Sequence, residues 1–411
     1  MRQRSILGAT EFATSLFVVA LLATFTSINT GHAEETPRSE QVVEIERAIA
    51  AAAGFLVEQQ QPDGTWRSKT YGLLKDGTSL TPLVLRSLPK SQATQVARDR
   101  GLMAMSSWVG SDAGTTRIRV LPQYPVYSAG LAMCVLSESG ADPQRDEAIV
   151  WRKLLMAHQL TERNAWSANN IRFGGWGYSH EPPSKPADGV TLSPLDEPNL
   201  SATVFALEGL MADSRDDRTT NAWRSKAFQF VQRCQNWREN GPAADEKFND
   251  GGFHFLLQDE VRNKPGVAGI DGAGQTRFLS YGSATADGLR ALLLCGVKPD
   301  HPRVVAAGNW LIRHFQDGAH PGKYPANRKY LQPSLDFYYA ASVAKAFRQV
   351  RTDDSPISNG SWTTVIAGRL LKLQRHDGSW SNPAVDVRED DPLIATSFAL
   401  LALQECLCGL Q

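Results

Sequence analysis

Gln374-Arg375-His376-Asp377-Gly378-Ser379-Trp380, near the end of the chain, repeats Gln61-Pro62-Asp63-Gly64-Thr65-Trp66, near its start. Between them lie Phe173-Gly174-Gly175-Trp176-Gly177-Tyr178, Asp250-Gly251-Gly252-Phe253-His254-Phe255 and the weaker Pro321-Gly322-Lys323-Tyr324. Each is a glycine turn followed by an aromatic residue, and each follows an amphipathic stretch, as at 42–60, 221–235, 301–315 and 361–374. Glycine stops helices well because it accepts positive φ without a Cβ clash. Internal similarity of this kind marks a repeat architecture.

After each turn a second, more apolar run begins. Six such runs align without gaps: Ser79–Leu88, Tyr127–Leu136, Ser201–Leu210, Ser283–Leu292, Tyr338–Phe347 and Ile394–Leu403. Their third position is always small: Thr81, Ala129, Thr203, Thr285, Ala340 or Thr396. Small side chains let helices approach closely, so these runs are expected to form an inner layer. The more charged helices that precede them would form the outer layer. An open stack needs polar caps at its ends, and the last run reaches nearly to Gln411 without one. The pattern predicts an all-α fold, a single α/α toroid (an α6/α6 barrel) of six helical hairpins over residues 40–411. An open helical solenoid is the other arrangement it allows. The second hairpin has the weakest signal, because residues 111–127 lack the glycine-aromatic turn.

Composition agrees with a folded domain. The 411 residues carry 43 basic and 43 acidic side chains, with 42% apolar residues. That apolar content excludes a disordered chain, and the lack of basic excess gives no reason to expect a nucleic-acid partner. Arg2 and Arg4, the apolar run from Leu16 to Phe25, and Gly31 and Ala33 before Glu34 have the layout of a signal peptide over residues 1–33. The chain is expected to be exported, to the periplasm or beyond, touching a membrane only through that segment if it stays uncleaved. No later segment reads as long enough to span. Of five cysteines, Cys134, Cys295 and Cys406 fall in or just after apolar helical runs, where a thiol packs as a small core residue. Cys406-Leu407-Cys408 has no nearby His or Cys to complete a metal set. No metal and no cofactor are expected.

The motif of Gln374–Trp380 resembles the repeat of the squalene–hopene and oxidosqualene cyclases. The same toroid occurs in protein prenyltransferase β subunits, thioester domains and some exported α/α-barrel lyases. The resemblance covers most of the mature chain and implies the architecture, with the repeated Gln and aromatic residues bracing neighbouring hairpins. Class II cyclases protonate an alkene with an Asp-x-Asp-Asp acid at the start of an inner helix. The matching place here is Arg388-Glu389-Asp390-Asp391, with Arg388 in place of the first acid. A neighbouring guanidinium favours an ionised carboxylate, which suits a proton donor poorly. Prenyltransferases hold zinc with Asp, Cys and His. Gly252, after Asp250, stands where the Cys would be, and Tyr339, after Asp336, where the His would be, so the zinc site is not expected. The thioester run Cys-Gly-Glu-Gln is absent.

A toroid leaves a central funnel lined by the starts of inner helices. Asp336, Tyr339, Asp390 and Asp391 are the candidate catalytic residues. Tyr127, Trp176, Asp196, Glu197, Asp250, His254, Tyr281 and Tyr338 are the candidate ligand-binding residues, with Tyr124 and Tyr178 beside them. Asp336 with Tyr339, or Asp196 with Glu197, would make an acid–base pair if brought within hydrogen-bond reach. Acids just before helices also serve as caps, which is the plainer role for Asp196, Asp336 and Asp391. The loops 181–199 and 256–280 are long enough to fold over one mouth. The leading expectation is a toroid that binds a small apolar or carbohydrate ligand, or a protein partner, in its funnel without chemistry. The alternative is an enzyme, terpenoid cyclase-like or a lyase or hydrolase acting on polysaccharide, using funnel carboxylates and tyrosines.

Overall fold

The computed structural model describes residues 39–112, 115–140, 146–187, 189–212, 218–238, 248–272, 274–350 and 361–410. The expected signal segment, residues 1–33, and its cleavage point lie outside them. Ser39–Gln411 is one compact unit.

Within it, outer and inner helices alternate. The first three hairpins are α1 (Glu40–Glu58) with α2 (Leu80–Ser87), α3 (Gln92–Ser107) with α4 (Pro125–Glu138), and α5 (Asp146–His158) with α6 (Leu200–Ala212). The next three are α7 (Arg218–Arg233) with α8 (Gly282–Leu294), α9 (Pro302–His314) with α10 (Asp336–Gln349), and α11 (Ser361–Leu373) with α12 (Pro392–Leu410). All six inner runs of the sequence fall on the even-numbered helices. These are buried nearly throughout: Ala202, Val204, Ala206 and Leu207 of α6 and Ala395, Ala399 and Leu403 of α12 have no exposed surface. Each inner helix packs on the next, and α12 packs on α2, which closes the ring. The fold is therefore a toroid and not an open solenoid.

One set of glutamines ties four of the six hairpins to the following one. Gln60 Nε2 donates to Gly64 O and, across the hairpin boundary, to Ala97 O in α3. Gln159 repeats this toward Trp223 O, Gln235 toward Arg303 O, and Gln374 toward Ala48 O in α1. The last bond joins the final hairpin to the first. Gln60, not Gln61, is thus the counterpart of Gln374, which shifts the sequence register by one residue. The aromatic residue after each turn is equally fixed. Trp66, Trp176 and Trp380 donate their indole N–H to Leu56 O, Leu155 O and Leu370 O of their own outer helices. Their main-chain N–H groups go to the third-position threonines Thr81, Thr203 and Thr396. Glycine is required in these turns: Gly64, Gly174, Gly251 and Gly378 have φ between +84° and +91°. A Cβ at Gly174 would stand 1.8 Å from Lys226 O of the next outer helix.

The connections are unequal. Turns from inner to outer helices are short, whereas those from outer to inner helices are long and gather on one face, the mouth. The second of these long connections lacks the glycine turn and holds an antiparallel hairpin, β1 (Val109–Asp112) with β2 (Thr115–Ile118). The fourth holds β3 (Val267–Ile270) with β4 (Thr276–Phe278). One expectation fails: α12 is long and apolar enough to cross a membrane by length and composition. Its position explains the composition, since it is an inner helix packed on α1, α2, α10 and α11.

Candidate functional site

A cavity of about 710 Å³ opens at the mouth. Every inner helix contributes to it from its first two turns or the residue just before. The wall is apolar and aromatic, built from Leu80 and Leu83 of α2, Tyr124 and Tyr127 at α4, Tyr281 at α8, Tyr338 of α10, and Ile394 and Phe398 of α12. Tyr127 packs against Phe205 with ring centroids 4.1 Å apart, and Tyr338 meets Phe398 edge-on at 5.2 Å. The two long loops both reach it, through Leu195 of one and Val261, Arg262 and Lys264 of the other.

Two buried carboxyls of this wall are held by neighbours. Asp287, in the second turn of α8, is 2% exposed. Its Oδ2 accepts the Tyr338 hydroxyl at 2.7 Å, and its Oδ1 accepts Ser342 Oγ at 2.6 Å and Arg290 Nη1 at 3.1 Å. Tyr338 Oη also pairs with Ser201 Oγ at 2.9 Å. Burial raises the Asp287 carboxyl above its ordinary range, against the pull of Arg290. Burial likewise pushes the Tyr338 and Tyr127 phenols well up. Behind Asp287, Arg290 Nη2 reaches Glu208 Oε1 at 2.7 Å, which Lys345 Nζ also holds at 2.6 Å. Two acids and two bases therefore balance across α6, α8 and α10, the arrangement that buried charges require.

Glu389 is the second buried carboxyl of the cavity, 1% exposed. Its Oε1 accepts Tyr338 N at 2.7 Å, and its Oε2 accepts Phe337 N at 3.1 Å and Asn382 Nδ2 at 3.0 Å. It caps α10 from the next hairpin. Burial pushes it up to about 7, so near neutrality it holds a proton about half the time.

The expected site residues separate into two groups. Tyr127, Tyr281 and Tyr338, with Tyr124 and Tyr178, line the cavity. The others lie outside its lining. Asp336 binds Arg369 Nη2 through both oxygens, at 2.8 and 2.6 Å, and burial raises its carboxyl. Tyr339 is fully buried beside His320, with ring centroids 5.2 Å apart, so Asp336 and Tyr339 do not meet as an acid–base pair over a ligand. Asp390 accepts the Tyr71 hydroxyl. Asp391 accepts Ser68 Oγ and Leu393 N, the latter at 2.9 Å, and so caps α12. Trp176 is the structural indole described above. Glu197 accepts Arg172 Nε at 2.7 Å, and Asp196 is half-buried, its carboxyl raised by desolvation. Asp250 accepts Gly252 N, Ser280 Oγ and Trp310 Nε1, and so fastens its turn to α9. His254 is buried, with Nδ1 3.0 Å from Leu256 O, and burial depresses it to about 3. Among the described residues no group of three His, Cys, Asp or Glu side chains could hold a metal ion.

Sequence reasoning missed Asp287 and Glu389. The signal for Asp287 was a lone acid with Arg290 three residues on, inside a run otherwise made of small and apolar residues. Glu389 lay inside the segment already singled out, one position before Asp390.

No family model and no curated protein matches this chain. Solved structures do. Type II terpene cyclase MstE from Scytonema, solved with its substrate geranylgeranyl dihydroxybenzoate, is 14% identical with a TM-score of 0.53, over 90% of this chain and 98% of its own. Cellobiose 2-epimerase from Spirochaeta thermophila is 12% identical with a TM-score of 0.56, over 92% of this chain and 99% of its own. A D-mannose isomerase is 14% identical with a TM-score of 0.54, over 91% of this chain and 99% of its own. These likenesses are of fold, and they place the chain's architecture among the α/α toroids.

Proposed function

We propose that the chain is an exported enzyme that encloses a predominantly apolar, isoprenoid-like substrate in its funnel and moves a proton on and off it. Export rests on the leader-like residues 1–33. The observation that carries the chemistry is the buried Tyr338–Asp287 bond, set among the aromatic and aliphatic side chains of the funnel floor. The aromatic and aliphatic side chains that face the floor, among them Leu80, Leu83, Tyr127, Ile394 and Phe398, suit an apolar body. The volume falls within the range of ligand pockets, roughly 300–1,000 Å³. The fold is able to take such a substrate, since MstE binds a geranylgeranyl aromatic compound.

In this reading Glu389 gives its proton to an alkene carbon. The π electrons form the new C–H bond and leave a cation on the adjacent carbon. The faces of Tyr127, Tyr338 and Phe398 and the negative charge of Asp287 stabilise that cation. Loss of a neighbouring proton to a carboxylate ends the reaction and leaves the mass unchanged. The test is incubation of the full chain with polyprenyl substrates in deuterium oxide. An isomeric product carrying one deuterium, lost in Asp287→Asn and Glu389→Gln, supports the enzyme. A ligand that binds and returns unchanged, without deuterium, overturns it in favour of a binding protein.

A further inference from the structure

The mouth of the cavity differs in charge from its floor. Three cations line it: Arg262, Lys264 and Arg388. Arg262 is satisfied, with Nε 2.8 Å from Asp259 Oδ2 and Nη1 on Pro194 O. The other two are not. Neither the Lys264 ammonium nor the Arg388 guanidinium makes a hydrogen bond or ion pair with any described residue. Arg388 instead lies over two tyrosine rings, with its Cζ 5.2 Å from the centroid of Tyr71 and 5.4 Å from that of Tyr124. Its backbone has φ +67°, a region that a side-chain-bearing residue enters at a cost. Positions held in such conformations cluster at functional sites. Stacking on aromatic faces fixes a guanidinium while leaving its N–H fork open.

The acids near these cations have no direct contact with them, and Asp390 accepts the Tyr71 hydroxyl instead. Glu389 spends both oxygens on Phe337 N, Tyr338 N and Asn382, and Asp386 is exposed at the rim. Lys264 is drawn toward both electrostatically but touches neither, and burial lowers its basicity. Lys264 is partly buried, and an amine drawn partly out of water without a partner favours an anion beside it.

We infer that the mouth is an anion subsite, in which Lys264 and Arg388 receive the carboxylate or phosphate head of an amphiphile whose apolar body fills the funnel. The inference rests on the funnel being the ligand site, and it adds the substrate's polar end and its orientation. The head stays at the mouth, and the tail lies toward Asp287. Arg388 then occupies the first position of the Arg388–Asp391 segment as a headgroup ligand.

The test uses the full chain and three probes of one tail: farnesol, farnesoic acid and farnesyl phosphate. Affinity is read by calorimetry at low and high salt. At least one anion is expected to bind about tenfold or more tightly than the alcohol, with a preference that shrinks as salt rises. The preferred anion identifies the headgroup chemistry. Lys264→Gln with Arg388→Gln should bring that anion to the alcohol's level while leaving the alcohol's own affinity unchanged, which also reports an intact funnel. Equal binding of alcohol and anions by the parent chain overturns the inference and leaves the funnel reading standing. So does an anion preference that survives both substitutions. Failure of all three probes to bind overturns the funnel reading, and the inference with it.

Discussion

The Tyr338 hydroxyl donates to Asp287 Oδ2 at 2.7 Å, linking the first turn of α10 to the second turn of α8 at the wall of the funnel. The same residue's main-chain N–H donates to Glu389. One tyrosine therefore contacts both buried carboxyls of the cavity. Tyr338→Phe removes the hydroxyl bond and leaves Asp287 with Ser342 and Arg290. A hydrogen bond to a charged group contributes about 1.5–3 kcal/mol, so the unfolding free energy from denaturant titration should fall by that order. Deuterium uptake from the solvent assay should fall with it. Unchanged stability and uptake would show that the bond matters to neither.

The pH dependence of folding should carry the mark of Glu389. Its folded value of about 7 lies above the ordinary 4.5. The folded state keeps a proton that the unfolded chain releases between those values, so this contribution is complete below pH 4.5 and lost as pH rises through 7. That difference corresponds to about 3 kcal/mol. His254 and His320, depressed to about 3 and about 4, act in the opposite sense below pH 6.5. The measurement is thus the stability of the parent minus that of Glu389→Gln, followed by denaturant titration from pH 4.5 to pH 8. The difference should decline across this range, and a flat difference would refute the raised carboxyl. The glutamine itself lowers stability at every pH, because its amide N–H₂ meets main-chain donors.

Ring closure should be measurable at one side chain. Gln374→Ala removes the bonds to Gly378 O and Ala48 O. A loss of about 1–3 kcal/mol is expected, with faster hydrogen exchange concentrated in α1 and α11. Exchange that rises evenly over all hairpins would argue against a local seam.

Two glycine substitutions separate backbone strain from steric contact. Gly140 has φ +73° with open space where a Cβ would stand, whereas Gly174 has φ +91° with Lys226 O 1.8 Å from that position. Gly140→Ala should cost about 1 kcal/mol. Gly174→Ala should cost several times more, because α7 would have to move away from the turn. Thermal unfolding of the two variants side by side decides it.

The architecture was legible because its cause is local and repeated. A glycine of positive φ, an indole aimed at its own outer helix and a small third residue recur in register, and each leaves a trace in the sequence. The one-residue slip at Gln60 arose because Gln59, Gln60 and Gln61 are adjacent and chemically identical. The cavity was legible in part. Tyr127, Tyr281 and Tyr338 follow from their place at inner-helix starts, where side chains of a toroid converge. Trp176 and His254 share the same sequence neighbourhood, yet each turns into its own hairpin to meet a backbone carbonyl, while Asp250 fastens its turn to α9 of the next hairpin. Asp336 was drawn outward by Arg369, 33 residues away. Glu389 finds its partners in amides 51 and 52 residues earlier, a pairing fixed only by the packing of α12 on α10.

The seam between α12 and α1 has a consequence for topology. Outer helices run toward the mouth and inner helices away from it, so the first residue of α1 and the last of α12 emerge together on the opposite face. Linking residue 410 to residue 39 and opening the short turn between α2 and α3 would give a circular permutant. Its hydrogen-bonded circuit and funnel would match those of the parent. Which hairpin the ribosome makes first is then a matter of folding order, and the finished ring keeps no record of it.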